Sequence, residues 1–202
     1  MKSRRTPQPP PAHGGTGFVR IISGQWRGRK LPVLNAEGLR PTTDRVKETL
    51  FNWLMTDTAG STVLDCFSGS GSLALEALSR QAAFATMLEL DKSAVKQLQQ
   101  HLLTLKCDNA EVVATNCLQY LQQPAHRPYD LVFIDPPFRQ NLALPCAAQL
   151  EQHGWLAPEA LIYLECEKEL NVASLPAHWR LLKESIAGQL AYRLYQRVPP
   201  AV

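Results

Sequence analysis

Hydrophobic and polar residues follow different patterns in successive parts of the chain. Residues 1–17 hold four prolines, three glycines and almost no apolar side chains, which predicts a disordered, basic, proline-rich tail. Phe18–Ser23 and Arg29–Val33 then read as short strands around a turn-forming segment at 24–28, which predicts a β-hairpin. A helix is predicted next, with N-cap chemistry at Thr42, Thr43 and Asp44 and apolar side chains at helical spacing at Val46, Leu50, Trp53 and Leu54.

From residue 61 onward, short apolar strands alternate with helices. Such alternation predicts a parallel sheet with helices on both faces, because each parallel connection needs a crossover. The predicted strands are Thr62–Cys66, Phe84–Glu89, Glu111–Ala114, Tyr129–Ile134 and Ala160–Cys166, and the predicted helices lie at 71–80, 92–105, near 117–122 and near 142–152.

The end of the chain departs from this alternation. Trp179–Ile186 and Leu190–Arg197 are strand-like, and the three residues between them are too few for a crossover helix. These two strands are therefore expected to pair antiparallel. The whole pattern predicts an α/β fold, a Rossmann-like domain over 57–202 whose seven-stranded, mostly parallel sheet ends in an antiparallel hairpin. Residues 18–56 are predicted to form a hairpin-and-helix extension of that domain.

The composition is typical of a folded domain without a membrane segment. Hydrophobic residues make up 45% of the 202 residues and charged residues 19%. No apolar run approaches the roughly 20 residues of a membrane span, and the basic start leads into prolines instead of a signal sequence. We expect a soluble, cytoplasmic protein that is a monomer.

The net charge of +3 hides a strong asymmetry. Residues 1–50 carry ten Lys and Arg against three acidic residues, whereas the remainder carries eleven against fifteen. A basic amino end on an acidic body indicates a polyanionic partner.

The five cysteines favour neither disulfides nor a metal site. Their number is odd, none forms a Cys-x-x-Cys pair, and no histidine stands at metal-ligand spacing from a partner. We expect reduced, mostly buried thiols and no bound metal.

A glycine loop joins the first predicted strand of the sheet to its helix. Gly69 and Gly71 allow the backbone to approach a ligand, and the spacing Gly69-x-Gly71-x-x-Ala74 also fits a dinucleotide fingerprint. Asp65 at the strand end would repel a pyrophosphate but attract an ammonium group, which favours S-adenosylmethionine. Glu89 ends the second strand, where a carboxylate accepts hydrogen bonds from ribose hydroxyls in either kind of site.

The segment Asp135-Pro136-Pro137-Phe138 follows the most strand-like run of the chain. Two prolines stop the strand and make a rigid turn at the carboxyl edge of the sheet. Such a turn suits a planar substrate with an exocyclic amine. Asp135 and a backbone carbonyl of the turn would accept its two N–H bonds, and Phe138 would stack on the ring.

Together these motifs resemble the class I S-adenosylmethionine-dependent methyltransferases, and three blocks are similar to the bacterial RsmD family. These blocks are RIISGQWRGRKLP from Arg20, LRPTTDRVKETLFNWL from Leu39 and DCFSGSG from Asp65. The likeness covers roughly residues 18–197. It implies methyl transfer to the N2 amine of a guanine in 16S rRNA, within the 30S subunit or an assembly intermediate, with S-adenosyl-L-homocysteine as product.

The resemblance also implies roles for individual residues, including a lid over RNA and cofactor formed by the extension at 18–56. Asn116 would lie near the adenine, although a plain helix N-cap explains it equally well. The basic extension is expected to hold RNA, with Trp26 either stacking on a base or packing on the core; Arg45 and Lys47 stay unassigned. The implied residues are Asp135, Pro136 and Phe138 for catalysis, Asp65, Phe67, Gly69, Gly71, Glu89 and Asn116 for the cofactor, and Arg27, Arg29, Lys30, Trp26 and Arg40 for RNA.

Three other functions remain open at this point. An adenine-N6 DNA methyltransferase uses a similar motif, but usually with Tyr in last place and with a sizeable recognition region that this chain has little room for. A dehydrogenase would leave the Asp135 turn without a purpose. A non-catalytic RNA-binding assembly factor would tolerate the loss of Asp65 or Asp135, yet both are present.

Overall fold

The computed structural model describes residues 17–33 and 44–198. The predicted tail, Thr42, Thr43 and Arg40 therefore lie outside the described residues, except for Gly17. The strands are β1 (Gly17–Arg20), β2 (Lys30–Val33), β3 (Thr62–Asp65), β4 (Phe84–Glu89), β5 (Ala110–Ala114), β6 (Tyr129–Ile134), β7 (Leu156–Glu167), β8 (Trp179–Ala187) and β9 (Leu190–Arg197). The α-helices are α1 (Asp44–Trp53), α2 (Ser72–Ser79), α3 (Lys92–Leu105), α4 (Cys117–Leu121) and α5 (Ala143–Gln152), and a 3₁₀ turn lies at Val172–Ser174.

The main sheet has seven strands in the order β5-β4-β3-β6-β7-β9-β8. Strands β3 to β7 are parallel, whereas β9 pairs antiparallel with both β7 and β8. The predicted α/β fold with its C-terminal antiparallel hairpin is thereby confirmed. The chain runs outward from β3 to β5 and then returns to the other side of β3 with β6. Ligands of such sheets bind at this reversal, beyond the carboxyl ends of the strands.

Helices cover both faces of the sheet, as the continuous apolar strands require. One core cluster lies under α1, α2 and α3 and includes Val63, Leu131 and Phe133. The other lies under α4 and α5 and includes Leu64 and Val132. Because alternate residues of one strand serve opposite faces, the central strands carry almost no polar side chains.

The seventh strand, β7, is longer than its sequence pattern predicts. It begins at Leu156 instead of Ala160, and Leu156 pairs with Tyr129 before the register shifts towards Leu131. Pro158 and Glu159 interrupt the apolar pattern here, which is why the sequence indicated a later start. The carboxyl end of β7, which faces the site, is within one residue of the prediction.

A buried carboxylate of α2 is one of the groups that fasten the N-terminal extension to this helix. Glu76 is fully buried and accepts hydrogen bonds from the backbone N–H groups of Ile22 at 2.7 Å and Ser23 at 3.0 Å. The Nζ of Lys47, itself 1% exposed, lies 3.9 Å from Glu76 Oε2 and donates to Ser72 Oγ at 3.2 Å. Lys47 thus joins α1 to the helix that begins at the glycine loop, a role that the sequence did not indicate.

Candidate functional site

A cavity of about 1080 Å³ opens at the carboxyl ends of β3, β4, β6 and β7. It lies where the chain reverses direction in the sheet, as the topology predicts for a ligand site. Every residue predicted for the cofactor or for catalysis lines it except Gly71. The lining residues from that set are Asp65, Phe67, Gly69, Glu89, Asn116, Asp135, Pro136 and Phe138.

Gly71 shapes the glycine loop from behind. Its φ of +78° suits glycine, and a Cβ placed there would lie 2.6 Å from Leu98 Cδ2 of α3. The backbone turns into α2 at this point and packs directly on α3. Gly69 also has a positive φ, +49°, and its N–H donates to Glu89 Oε2 at 2.7 Å. The loop is therefore fixed by helix packing on one side and by Glu89 on the other.

Asp65 has a buried carboxylate that is only partly hydrogen-bonded by the described residues. It is 2% exposed, and its Oδ1 has no hydrogen-bond partner among the described residues. Burial, followed by the nearby Asp135 charge, raises the pKa of Asp65 to about 8. A buried carboxylate of this kind is stabilised by a cation brought into the cavity, because the cation offsets the cost of desolvation.

Glu89 and Asn116 combine a structural role with a position on the cavity wall. The two oxygens of Glu89 each accept one backbone N–H, from Gly69 and from Asp91, both at 2.7 Å. A carboxylate oxygen has a second lone pair, so both remain able to accept a ligand hydroxyl. Asn116 caps α4 by accepting from the N–H of Gln119 at 3.2 Å. The predicted N-cap is present, and the ligand role of Asn116 stays a prediction.

The Asp135 turn follows β6 directly, next to β3, which ends at Asp65, and both carboxylates line the same cavity. Asp135 is half-buried, whereas Phe138 is 45% exposed at the rim, where a base can reach its ring. The guanidinium carbon of Arg139 lies 5.1 Å from the centre of that ring. The sequence did not predict a functional role for Arg139, because nothing marks this residue except its position directly after the turn.

Glu165 is a second cavity residue that sequence reasoning missed. It is 9% exposed, and the hydroxyl of Tyr163 donates to its Oε2 at 3.0 Å. Burial, with Asp135 as the next cause, raises the pKa of Glu165 to about 8. Its signal was present as an acidic residue at the end of an apolar strand, the same signal that selected Asp65 and Glu89.

Comparisons with known proteins agree with this geometry. The chain matches the family model described as Conserved hypothetical protein 95 over residues 19–196. It is 56% identical to the ribosomal RNA small subunit methyltransferase D of Escherichia coli K12, covering 93% of this chain and 94% of that protein. The protein of that name from Haemophilus influenzae is 54% identical, covering 97% of this chain and 100% of the relative. The chain belongs to the Conserved hypothetical protein 95 family, which is the RsmD family.

Solved structures show the same fold for the RsmD family. The Escherichia coli protein yhhF is 53% identical and superposes with a TM-score of 0.83, covering 90% of this chain and 99% of that one. Haemophilus influenzae HI0767 gives a TM-score of 0.80 at 52% identity, with the same coverage. The Rossmann-like methyltransferase fold expected from the sequence is thus confirmed. No helix within 17–33 or 44–198 has the length and apolarity needed to cross a bilayer.

Of the residues predicted to bind RNA, those described around the turn of the hairpin lie away from the cavity of this RsmD-family chain, and Arg40 lies outside the described residues. The backbone N–H of Trp26 donates to Ser79 Oγ at 3.0 Å, and Arg29 donates to the carbonyl of Thr104 at 3.4 Å. Both partners belong to the last turns of helices that begin at the cavity edge, so this part of the hairpin lies at the opposite edge of the sheet. Trp26 is half-buried against the core, while Arg27 and Lys30 are exposed.

Three cysteines that are distant in the sequence meet at the cavity wall, where Cys66 and Cys117 line the cavity. The sulfur atoms of Cys66, Cys117 and Cys146 all lie within 4.8 Å of one another, and all three residues are buried. The sequence expectation of no metal site rested on their spacing and did not foresee this cluster. Burial raises the pKa of the Cys66 and Cys146 thiols, so both are protonated at neutral pH and pack as small apolar groups.

Proposed function

We propose that this protein transfers a methyl group from S-adenosylmethionine to the exocyclic N2 amine of a guanine in 16S rRNA. The observation that carries the proposal is the rigid Asp135 turn, which shares a cavity with the carboxylate of Asp65, whose Oδ1 has no hydrogen-bond partner among the described residues. The names of the 56% and 54% identical relatives support a small-subunit ribosomal RNA as the substrate. We further propose that it acts as a cytoplasmic monomer on the 30S subunit or an assembly intermediate.

The cavity residues fit S-adenosylmethionine. Asp65 would bind the ammonium group of its methionine part, since Oδ1 lacks any other partner among the described residues. Phe67, Gly69 and the loop up to Gly71 would hold the methionine chain, Glu89 the ribose hydroxyls and Asn116 the adenine. The cofactor supplies an electrophilic sulfonium methyl group when bound, and no metal is needed for its transfer.

The residues of the turn orient the nucleophile. The N2 lone pair of guanine is delocalised into the ring, so alignment contributes more than base strength, about 7–11 kcal/mol in favourable cases. Asp135 and the carbonyl of Pro136 would accept the two amine N–H bonds and direct the lone pair at the methyl group. Phe138 would stack on the extruded base, a contact worth about 1–3 kcal/mol. As the new N–C bond forms and the bond from the methyl group to sulfur breaks, S-adenosyl-L-homocysteine would remain as the product, and the amine would then lose one proton to solvent.

The proposal keeps RNA contact by the basic extension but moves that contact away from the target base. The residues concerned are Arg27, Arg29, Lys30, Trp26 and Arg40. Trp26 and Arg29 are near the far edge of the sheet, so they would bind RNA flanking the target and not the target base. Trp26 is half-buried against the core, which favours its packing role over stacking. Arg139 is better placed near the base, because it lies over Phe138 at the cavity rim.

The proposal is tested by methyl transfer to three substrates. We expect label from S-adenosylmethionine to enter 16S rRNA or small subunits that lack this methylation, and to map to N2 of one guanine by mass spectrometry of the nucleosides. Duplex DNA serves as the control for an adenine-N6 enzyme. Labelled N6-methyladenine in DNA, or RNA binding without any transfer, would support one of the two alternatives and refute the proposal.

Binding of the cofactor should release a proton from Asp65. With its pKa raised to about 8, this carboxyl group is mostly protonated at pH 7, and an adjacent ammonium group shifts it to the ionised form. We therefore expect S-adenosylhomocysteine to release close to one proton at pH 7. Calorimetric titrations in two buffers of different ionisation enthalpy measure this number directly.

The matched control is Asp65→Asn, which keeps the size of the side chain but cannot titrate. This variant should bind the ligand more weakly and release almost no proton. An unchanged proton count in Asp65→Asn would mean that another group responds to the ligand.

A further inference from the structure

Glu165 adjoins Asp135 at the carboxyl edge of the sheet, and the proposed chemistry of Asp135 leaves it without a role. The register between β6 and β7 pairs Phe133 with Tyr163 and Ile134 with Leu164. The next positions in this register are Asp135 and Glu165. Because side chains alternate between faces along a strand, these two project on the same side as Phe133 and Tyr163. Both residues line the cavity.

The carboxylate of Glu165 is held in place by a hydrogen bond to only one of its two oxygens. Tyr163 is fully buried, its ring packs edge-on against Phe133 at 6.3 Å, and its hydroxyl donates to Glu165 Oε2. Within the described part of the chain, the hydrogen bonds of this carboxylate come from Tyr163 alone and reach Oε2, which leaves Oε1 as an acceptor. A side chain that is nine-tenths buried thus presents an unused acceptor to the cavity beside Asp135.

The edge of guanine that carries the N2 amine matches two adjacent acceptors. Its N1–H and N2 amine are neighbouring donors, whereas adenine presents a lone pair at N1 beside its N6 amine. Neighbouring strands lie about 4.8 Å apart, a span that adjacent donors of one base can bridge with hydrogen bonds of about 2.9 Å. Two carboxylates on adjoining strands therefore match guanine better than adenine.

We propose that Glu165 Oε1 accepts the N1–H of the target guanine while Asp135 holds its N2 amine, which makes Glu165 a specificity-determining residue. This inference rests on the proposed function. The ionised form of Glu165 has to be maintained in a buried site, and two donors, the Tyr163 hydroxyl and the guanine N1–H, both favour it. The N1 lone pair of adenine would instead face a negative charge, and the base would be rejected.

The test replaces the target guanosine by 2-aminopurine, which keeps the C2 amine but has a lone pair in place of N1–H. Small-subunit rRNA with this single change is joined from synthetic and transcribed pieces and reconstituted with the small-subunit proteins. The assay is run above pH 8, because the pKa of Glu165 is raised to about 8. For the wild-type enzyme we expect kcat/KM to be about tenfold to a hundredfold lower on 2-aminopurine than on guanosine.

The decisive variant is Glu165→Gln, whose amide can either accept from N1–H or donate to a lone pair. We expect this variant to prefer guanosine by no more than about threefold. Glu169→Gln removes the same charge from an exposed position near the end of β7 and should keep the wild-type preference. Binding of S-adenosylhomocysteine should be unchanged in both variants, which shows that the site is intact.

The outcomes separate this inference from the function on which it rests. A wild-type enzyme that methylates neither RNA refutes the proposed function. A wild-type enzyme that methylates guanosine, together with a Glu165→Gln variant that keeps the full preference, overturns the inference alone. If Glu165→Gln transfers no methyl group to either RNA, the preference is measured by binding instead. The ratio of its dissociation constants for the two RNAs, in the presence of S-adenosylhomocysteine, then replaces the ratio of kcat/KM values. A retained ratio overturns the inference, and a lost ratio supports it.

Discussion

The Glu76→Ala variant is expected to lose about 3–5 kcal/mol of unfolding free energy, because it leaves a buried charge without its counter-ion. Lys47 is 1% exposed, and burial lowers the pKa of its ammonium group against the opposing effect of Glu76. The same change removes the acceptor for the N–H groups of Ile22 and Ser23. Urea unfolding followed by circular dichroism measures the loss.

Two further variants make this result interpretable. Glu76→Gln keeps the size and one acceptor oxygen but removes the charge, so we expect a smaller loss of about 1–3 kcal/mol, which stays measurable if the Ala variant fails to fold. Glu48→Ala removes an acidic side chain from the exposed face of α1 and should change stability by less than about 0.5 kcal/mol. Equal stabilities for all three variants would show that Glu76 does not fasten the extension.

Asp135→Asn should lower the rate of methyl transfer at least about a hundredfold. The substitution keeps the size of the side chain but turns one acceptor oxygen into an NH₂ donor, which in the proposed complex would face the donor amine of guanine. Losing a hydrogen bond to a charged group costs about 1.5–3 kcal/mol, and misalignment of the amine adds to this. Single-turnover methylation with both substrates saturating isolates the chemical step.

Cofactor affinity distinguishes this loss from damage to the site. The Asp135 charge contributes to the raised pKa of Asp65, so its removal should leave S-adenosylhomocysteine binding unchanged or slightly stronger. Asp108→Asn, an exposed change near the start of β5, is the matched control and should keep the normal rate. A near-normal rate for Asp135→Asn would show that this carboxylate does not hold the amine.

Much of this fold follows from local sequence signals. The apolar strands, the glycine loop and the three-residue gap before Leu190 predict the parallel sheet, its ligand edge and the final hairpin, and the structure confirms them. These features depend on residues close in the chain, because periodicity and turn chemistry act over a few positions. All the predicted cofactor residues except Gly71 line the cavity for the same reason, since each of them ends or follows a strand whose direction is fixed by the fold.

Contacts between distant segments were decided only by the tertiary structure. Lys47 and Glu76 are 29 positions apart, and a Lys on an amphipathic helix normally faces solvent. The docking of the hairpin on Ser79 and Thr104 likewise placed Trp26 and Arg29 away from the cavity, whereas the sequence indicated only that this basic segment would hold RNA. Glu165 ends an apolar strand, as Asp65 and Glu89 do, but only the register of β6 and β7 placed it beside Asp135. The sequence alone therefore determined which strand ends carry reactive or ligand-binding side chains. Strand order and helix docking determined which of those side chains meet, because contacts between distant segments leave no periodic signal along the chain.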